Sequence, residues 1–306
     1  MAEMKMQFSD SFYEAEVRCE YMVQPEMKKV WAVELDLLNE LLRVCRKHKI
    51  KVMATAGTLL GAVRHKGFIP WDNDIDMMMS RKDYERLCKV AEAEFSYPYF
   101  FQTEYTDPGS LRGHAQLRNS STTGRLEEEG KRVHFNQGIF IDIFPLDAVV
   151  EDEKKRKKQG KKAEYCKNMA RKLYVYTAGY ERITHTFARN VIHVAAMILN
   201  WFYSYDQWYA RFEKICASYN EMETKMVSCL SFLFWKKGLW KSRSDCEAPL
   251  ELDFEMLRIP VPCHYERALQ QEFGDWKKIV RNTSEHGGIF FDTERSYLEY
   301  VNESRK

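Results

Sequence analysis

Apolar positions recur with a helical period early in the chain. Between residues 26 and 48, Val30, Trp31, Leu35, Leu38, Leu41, Leu42 and Cys45 fall on one stripe, which predicts an amphipathic helix. Runs rich in β-branched and aromatic residues then predict short strands at 50–56, 97–102, 114–118 and 139–144. A turn from Gly57 to Gly61, leading into a short helix, comes directly after the first strand. Ser80 predicts the N-cap of a helix reaching Glu94, with Asp83 in the capping-box region. The mixture predicts an α/β fold, a mixed sheet with flanking helices. A lead over 1–26 precedes this core, which spans 27–150, and 151–306 reads as mainly helical.

Two stretches of the C-terminal half stand out. Residues 190–203, NVIHVAAMILNWFY, are the most apolar, yet they fall short of the ~20 residues that a membrane span needs. They predict a core helix, with an interfacial helix as the other reading because Trp201, Phe202 and Tyr203 close the run. The aromatic residues at 232–235 and Trp240 pose the same choice. Lys154–Lys158 with Lys161 and Lys162 predict an exposed basic helix face, or a contact with anionic lipid or a phosphorylated carrier.

Composition narrows the function. A formal net charge of +2 over 306 residues argues against a dominant nucleic-acid role. The 8 cysteines contain no C-x-x-C pair, so neither a zinc ribbon nor a disulfide framework is indicated. Free thiols fit a reducing cytosol. The opening MAEMKMQFSD lacks the apolar stretch of a signal peptide, so a cytoplasmic protein is expected.

The acids carry the chemistry. Asp72, Asp74 and Asp76 alternate in IPWDNDIDMMM, and on a strand all three would point the same way, ~6.6 Å apart. Carboxylates so close repel unless a cation lies between them, and a hard divalent metal is the usual one. A calcium loop of the EF-hand type is excluded, because Met77 holds the glycine position and Asp83 the glutamate position. A solvated turn remains the other reading, although it leaves the apolar Met77–Met79 unexplained. Asp142 sits in the strand-like GIFIDIFP, where an unpaired carboxylate would cost several kcal/mol. It needs a metal, a cationic side chain or a proton. Two strands carrying Asp74, Asp76 and Asp142 would suit Mg²⁺ (or Mn²⁺), the ions that serve displacement at phosphorus. Upstream, Gly57, Thr58, Arg64 and Lys66 offer glycine and positive charge to phosphate groups.

These residues resemble a known family. GTLLGAVRHKGFIPWDNDID and GIFIDIFPLD are similar to segments of the LicD family of phosphorylcholine transferases, relatives of fukutin within the nucleotidyltransferase superfamily. Members usually carry Asp where this chain has Asn73. The likeness covers 27–147 and returns weakly near Ile259, Tyr265, Trp276 and His286. It implies a nucleotidyltransferase-like core with a mainly helical C-terminal elaboration completing the site. It also implies transfer of a phospho-alcohol from a CDP-alcohol donor to a glycan hydroxyl, with CMP released. By that likeness Asp74, Asp76 and Asp142 hold metal, while Asp72 is a candidate general base. Gly57, Thr58, Arg64, Lys66, Arg118 and Gln137 then fall on substrate-binding positions. Lipid-linked glycans as acceptors would add weak peripheral membrane contact. Two other classes stay open: a glycosyltransferase using its Asp-x-Asp motif, and a non-catalytic module binding lipid or a carrier.

Overall fold

The first helical stripe becomes α1 (Pro25–Lys47), whose N-terminal proline occupies a position where a missing N–H costs nothing. The computed structural model describes residues 2–126, 135–177, 187–232, 239–281 and 288–303. A small hairpin, β1 (Glu16–Arg18) with β2 (Tyr21–Val23), leads into α1. Trp31 of α1 stacks on Phe68 at 4.5 Å between ring centroids, and Phe68 meets Phe254 at 5.0 Å. With Leu35, Leu38 and Leu41 fully buried, α1 forms the axis of the main core.

The sheet that α1 supports is mixed and curled. In chain order it takes β3 (Met53–Ala54), β4 (Asp76–Ser80), β5 (Tyr99–Gln102), β6 (Ala115–Asn119) and β8 (Ile139–Val149). The intervening β7 (Thr123–Leu126) pairs elsewhere, while α2 (Ala56–His65) and α3 (Arg81–Glu94) complete this half. Strand β8 is the spine: it runs parallel to β4 and antiparallel to β6. Pro145 lies where β8 has left β6 and has not yet met β9 (Met226–Ser228), a position with a ladder partner on one side only. Ser80 caps α3 as expected, its Oγ accepting from the Asp83 amide at 3.1 Å.

Several expectations need correction. The 57–61 segment is helical, because Ala56, with a left-handed φ of 48°, makes the bend and α2 starts there. The strand expected over 50–56 shortens to β3. Asp72 and Asp74 precede β4, which begins at Asp76, where pairing with β8 starts. Asp72 instead closes a turn, its amide donating to the Ile69 carbonyl at 2.9 Å.

The C-terminal half is less helical than its sequence suggests. After α4 (Glu153–Thr177), α5 (Phe187–Phe202) and α6 (Tyr205–Cys216), strands return. Strands β9 and β10 (Lys241–Ser242) extend the sheet, and β11 (Leu250–Phe254) with β12 (Leu257–Val261) makes a hairpin. Following α7 (Tyr265–Phe273), β13 (Ile289–Asp292) pairs with β7, and α8 (Tyr297–Glu303) ends the described chain. The alternation LELDF and LRIPV carried the hairpin's signal. Helices α4 and α6 share a second core around Ala170, Tyr209 and Phe212. The reading of 190–203 as a core helix fails: Val194, Ile198 and Trp201 of α5 are exposed. The lysines of α4 from Lys154 to Lys162 are exposed, as expected. Residues 233–238 and His286 lie outside the described residues. No helix among the described residues is long and apolar enough to cross a membrane.

One buried ion pair ties α3 to the spine of the sheet. Arg81, at the start of α3, donates from Nε and Nη2 to Asp147 of β8 at 2.9 and 2.7 Å. Asn220 adds a bond to the same carboxylate at 2.8 Å. Replacing one member strands the other in a dry site, which costs about 3–5 kcal/mol. Asp147→Asn should therefore lower the urea midpoint by that equivalent. A loss below about 1 kcal/mol, the ordinary worth of an exposed pair, would show that the bridge is solvated.

Candidate active site

The parallel pairing of β4 with β8 sets Asp76 opposite Asp142 in the same rung. The antiparallel pairing of β8 with β6 sets Gln116 opposite Asp142 on its other side. Three polar side chains therefore line one row across the middle of the sheet. Asp74, Asp76 and Asp142 are all buried. Burial, then the neighbouring charges of Asp74, Asp142 and Asp72, push the Asp76 carboxyl well above its ordinary value. The structure thus brings the four predicted acids into one electrostatic group, although a single regular strand is not what does it.

The loop before β4 is held from three directions. Thr58 Oγ1 accepts from the Asp76 amide at 2.8 Å, so this hydroxyl positions the acid. Trp31 Nε1 donates to the Asp72 carbonyl at 3.1 Å. A Cβ on Gly57 would lie 2.4 Å from Asp72 Oδ2, so only glycine lets that carboxylate approach the start of α2. The N-terminal amides and dipole of that helix favour an anion.

Asp142 is gripped more tightly than the sequence suggests. His114 Nε2 and Gln116 Nε2 both donate to Asp142 Oδ1, at 2.8 and 2.7 Å. Burial alone would push this carboxyl up, but the His114 ring and the Gln116 amide outweigh it and hold it below its usual value. Burial pushes the His114 imidazole down, so a neutral ring makes the bond. The Gln116 side chain is itself oriented by cations, its Oε1 accepting from Arg118 Nη2 and from Arg112 Nε. Arg118 is buried, stacks over Phe140 at 4.6 Å and donates to the Gly138 carbonyl at 2.6 Å. It acts on Asp142 through Gln116.

The remaining predicted residues separate. Gln137 is buried beside this network, its carbonyl accepting from the Gly124 amide at 2.7 Å. Arg64 lies ~10 Å further along α2 than Gly57 by helical rise. Its Nη1 donates to the Trp276 carbonyl at 2.9 Å. With the exposed Lys66 it lines a cleft shared with Arg18 and Glu255. The structure does not bring these two cations to the acids. Arg112, whose charge helps to hold Asp142 down, is the nearer one.

His114, Gln116, Arg112 and Glu34 escaped the sequence reading. The first two carried a signal, since His114, Gln116 and Arg118 alternate along a predicted strand and so share its face. Glu34 sits within the apolar stripe of α1, fully buried, its Oε2 without a hydrogen-bond partner. Burial, then Asp74 and Asp72, push its carboxyl well up, which favours the protonated form. A further donor group, Asp245, Cys263 and His264, has ligand atoms within 4.8 Å of one another. Arg267 already stands 3.8 Å from that Asp245 carboxylate.

The stretch that carries these residues is similar to known proteins. Residues 49–176 match the family model described as LicD/FKTN/FKRP, nucleotidyltransferase domain. Over 120 residues the chain is 33% identical to the lipopolysaccharide cholinephosphotransferase LicD of Haemophilus influenzae, covering 39% of this chain and 44% of that protein. An uncharacterized protein of Rickettsia prowazekii is 37% identical over 71 residues, 23% of this chain and 24% of its own. The chain spans less than half the length of the curated relatives it matches. Residues 49–176, which hold Asp72, Asp74, Asp76 and Asp142, are thus the part of this chain that is similar to the LicD family.

Proposed function

We propose that this chain transfers a phospho-alcohol, of the phosphocholine type, from a CDP-activated donor to a hydroxyl of a cell-surface glycan, releasing CMP. The cholinephosphotransferase relative supports the group transferred and the glycan acceptor. The observation that carries the reading is the rung formed by Asp76 and Asp142, with Asp74 adjoining. A nucleotidyltransferase-like core is the fold that this arrangement and the family description support.

Carboxylate oxygens are the ligands that a hard divalent cation, Mg²⁺ or Mn²⁺, takes. The donor set consists of buried carboxylate oxygens whose mutual repulsion raises Asp76, and that repulsion is what a dication relieves. Asp74, Asp76 and Asp142 would hold it. When bound, the ion supplies positive charge against the donor's phosphate oxygens. The chain's own residues do the rest. The amides opening α2 at Gly57 and Thr58, with Arg112, bind the donor phosphates. His114, Gln116 and Arg118 keep Asp142 ionised and aimed. Asp72, half-buried against Gly57, takes the proton of the attacking hydroxyl, whose oxygen displaces CMP at the distal phosphorus.

Stability reports the cation directly. An acid raised in the folded state, as Asp76 is, adds stability that is full below its unfolded value near 3.8 and lost as pH climbs through its folded value. In EDTA at pH 7.5, Asp76→Asn should therefore melt above wild type. Mn²⁺ at a hundredfold over its Kd should stabilise wild type by about 2.7 kcal/mol and the variant far less. An equal Mn²⁺ response in both would remove Asp76 as a ligand.

Turnover tests the reaction. Asp74→Asn, Asp76→Asn and Asp142→Asn should each slow transfer roughly a hundredfold or more, with circular dichroism confirming the fold. With CDP-choline labelled in the choline or in the cytidine, only the choline label should reach the glycan. Cytidine label on the acceptor would mean attack at the other phosphorus and defeat the proposal.

A further inference from the structure

Helix α5 is built inside out. His193, Ala196 and Asn200, spaced i, i+3, i+7, make the stripe turned towards the protein, and Asn200 Oδ1 accepts from the Tyr205 amide at 2.8 Å. The opposite side carries Val191, Val194, Ile198, Leu199, Trp201 and Phe202, and the last two are 83% and 74% exposed. No charged residue interrupts 190–203. Single exposed apolar residues need no explanation, but a contiguous face of this kind marks a contact surface.

We propose that α5 lies in the plane of an anionic lipid bilayer, with its apolar face at the boundary between headgroups and acyl chains. Two observations select lipid over protein. The helix α4, which packs on α5, carries an outward row of Lys154, Lys158, Lys161, Tyr165 and Lys172 at helical spacing, all exposed. Such a row suits anionic headgroups, whereas protein interfaces are depleted in lysine. Second, Trp201 near the end of the helix and Tyr203 just past it are amphipathic rings of the kind that favour the headgroup level, with the apolar Phe202 between them. At ~24 Å the helix is long enough to lie on a bilayer and too short to span one. The proposal does not depend on the transfer reaction.

The test uses the full chain with vesicles of phosphatidylcholine, alone or mixed with phosphatidylglycerol, and neither donor nor acceptor. Wild type should float with the mixed vesicles, less so as salt rises. Ile198→Asp with Leu199→Asp should lower that partition at least about tenfold without changing the melting temperature, because both side chains are exposed. Trp201→Ala with Phe202→Ala should lower it in the same direction and serves if the first pair disturbs folding. Lys154→Ser with Lys158→Ser and Lys161→Ser should remove the preference for phosphatidylglycerol. The proposal is overturned if wild type binds neither vesicle at low salt, or if both α5 pairs bind as wild type does. A lipid-free dimer that the α5 substitutions dissociate would overturn it too, assigning the face to a second copy.

Discussion

Everything in the core is arranged around the cost of holding Asp74, Asp76 and Asp142 together under burial. At close range in a poorly solvated site, like charges cost several kcal/mol, a large share of a domain's whole stability. The sheet bears that cost with strong local structure. Strand β8 is paired on both flanks at Asp142, and β4 is braced by Thr58 and by the axis of α1. Asp76, pushed up by burial and its acidic neighbours, is thus held by a scaffold that its charge destabilises, whereas Asp142 is compensated by His114 and Gln116.

The support differs from acid to acid. Asp142 receives two side-chain hydrogen bonds, and the glutamine that gives one is fixed by two arginines. The charged form of Asp142 is thereby favoured and its carboxylate oriented. Asp76 has its charge opposed by its neighbours, and burial with Asp74 and Asp72 pushes Glu34 up as well.

Much of this was legible in the chain. The stripe of α1, the cap at Ser80 and the acids themselves are local patterns, and local patterns survive folding. Asp72 and Asp74 misled in their secondary structure because a DxDxD run fits a strand, while only Asp76 onward has a ladder partner. Arg64 misled because closeness in sequence to Gly57 becomes distance along a helix. His114 and Gln116 could not be tied to Asp142 without the register of β6 on β8, which is a tertiary fact. The 190–203 helix shows a different limit: hydrophobicity says that side chains leave water, and does not say where they go.

The pairing of β7 with β13 has a consequence for how the protein is made. Thr123 and Asp292 are register partners, so a strand early in the chain waits for one near the described end. During synthesis, β7 would leave the ribosome long before β13 and present an open edge throughout that interval. Closing so long a loop adds little to the equilibrium cost but slows the search, because distant contacts must form late. The candidate site lies on strands already complete by Val149, so its acids can assemble before the edge is sealed. The vulnerable period of this chain is therefore one in which the candidate site is in place and the β7–β13 pair is still unmade.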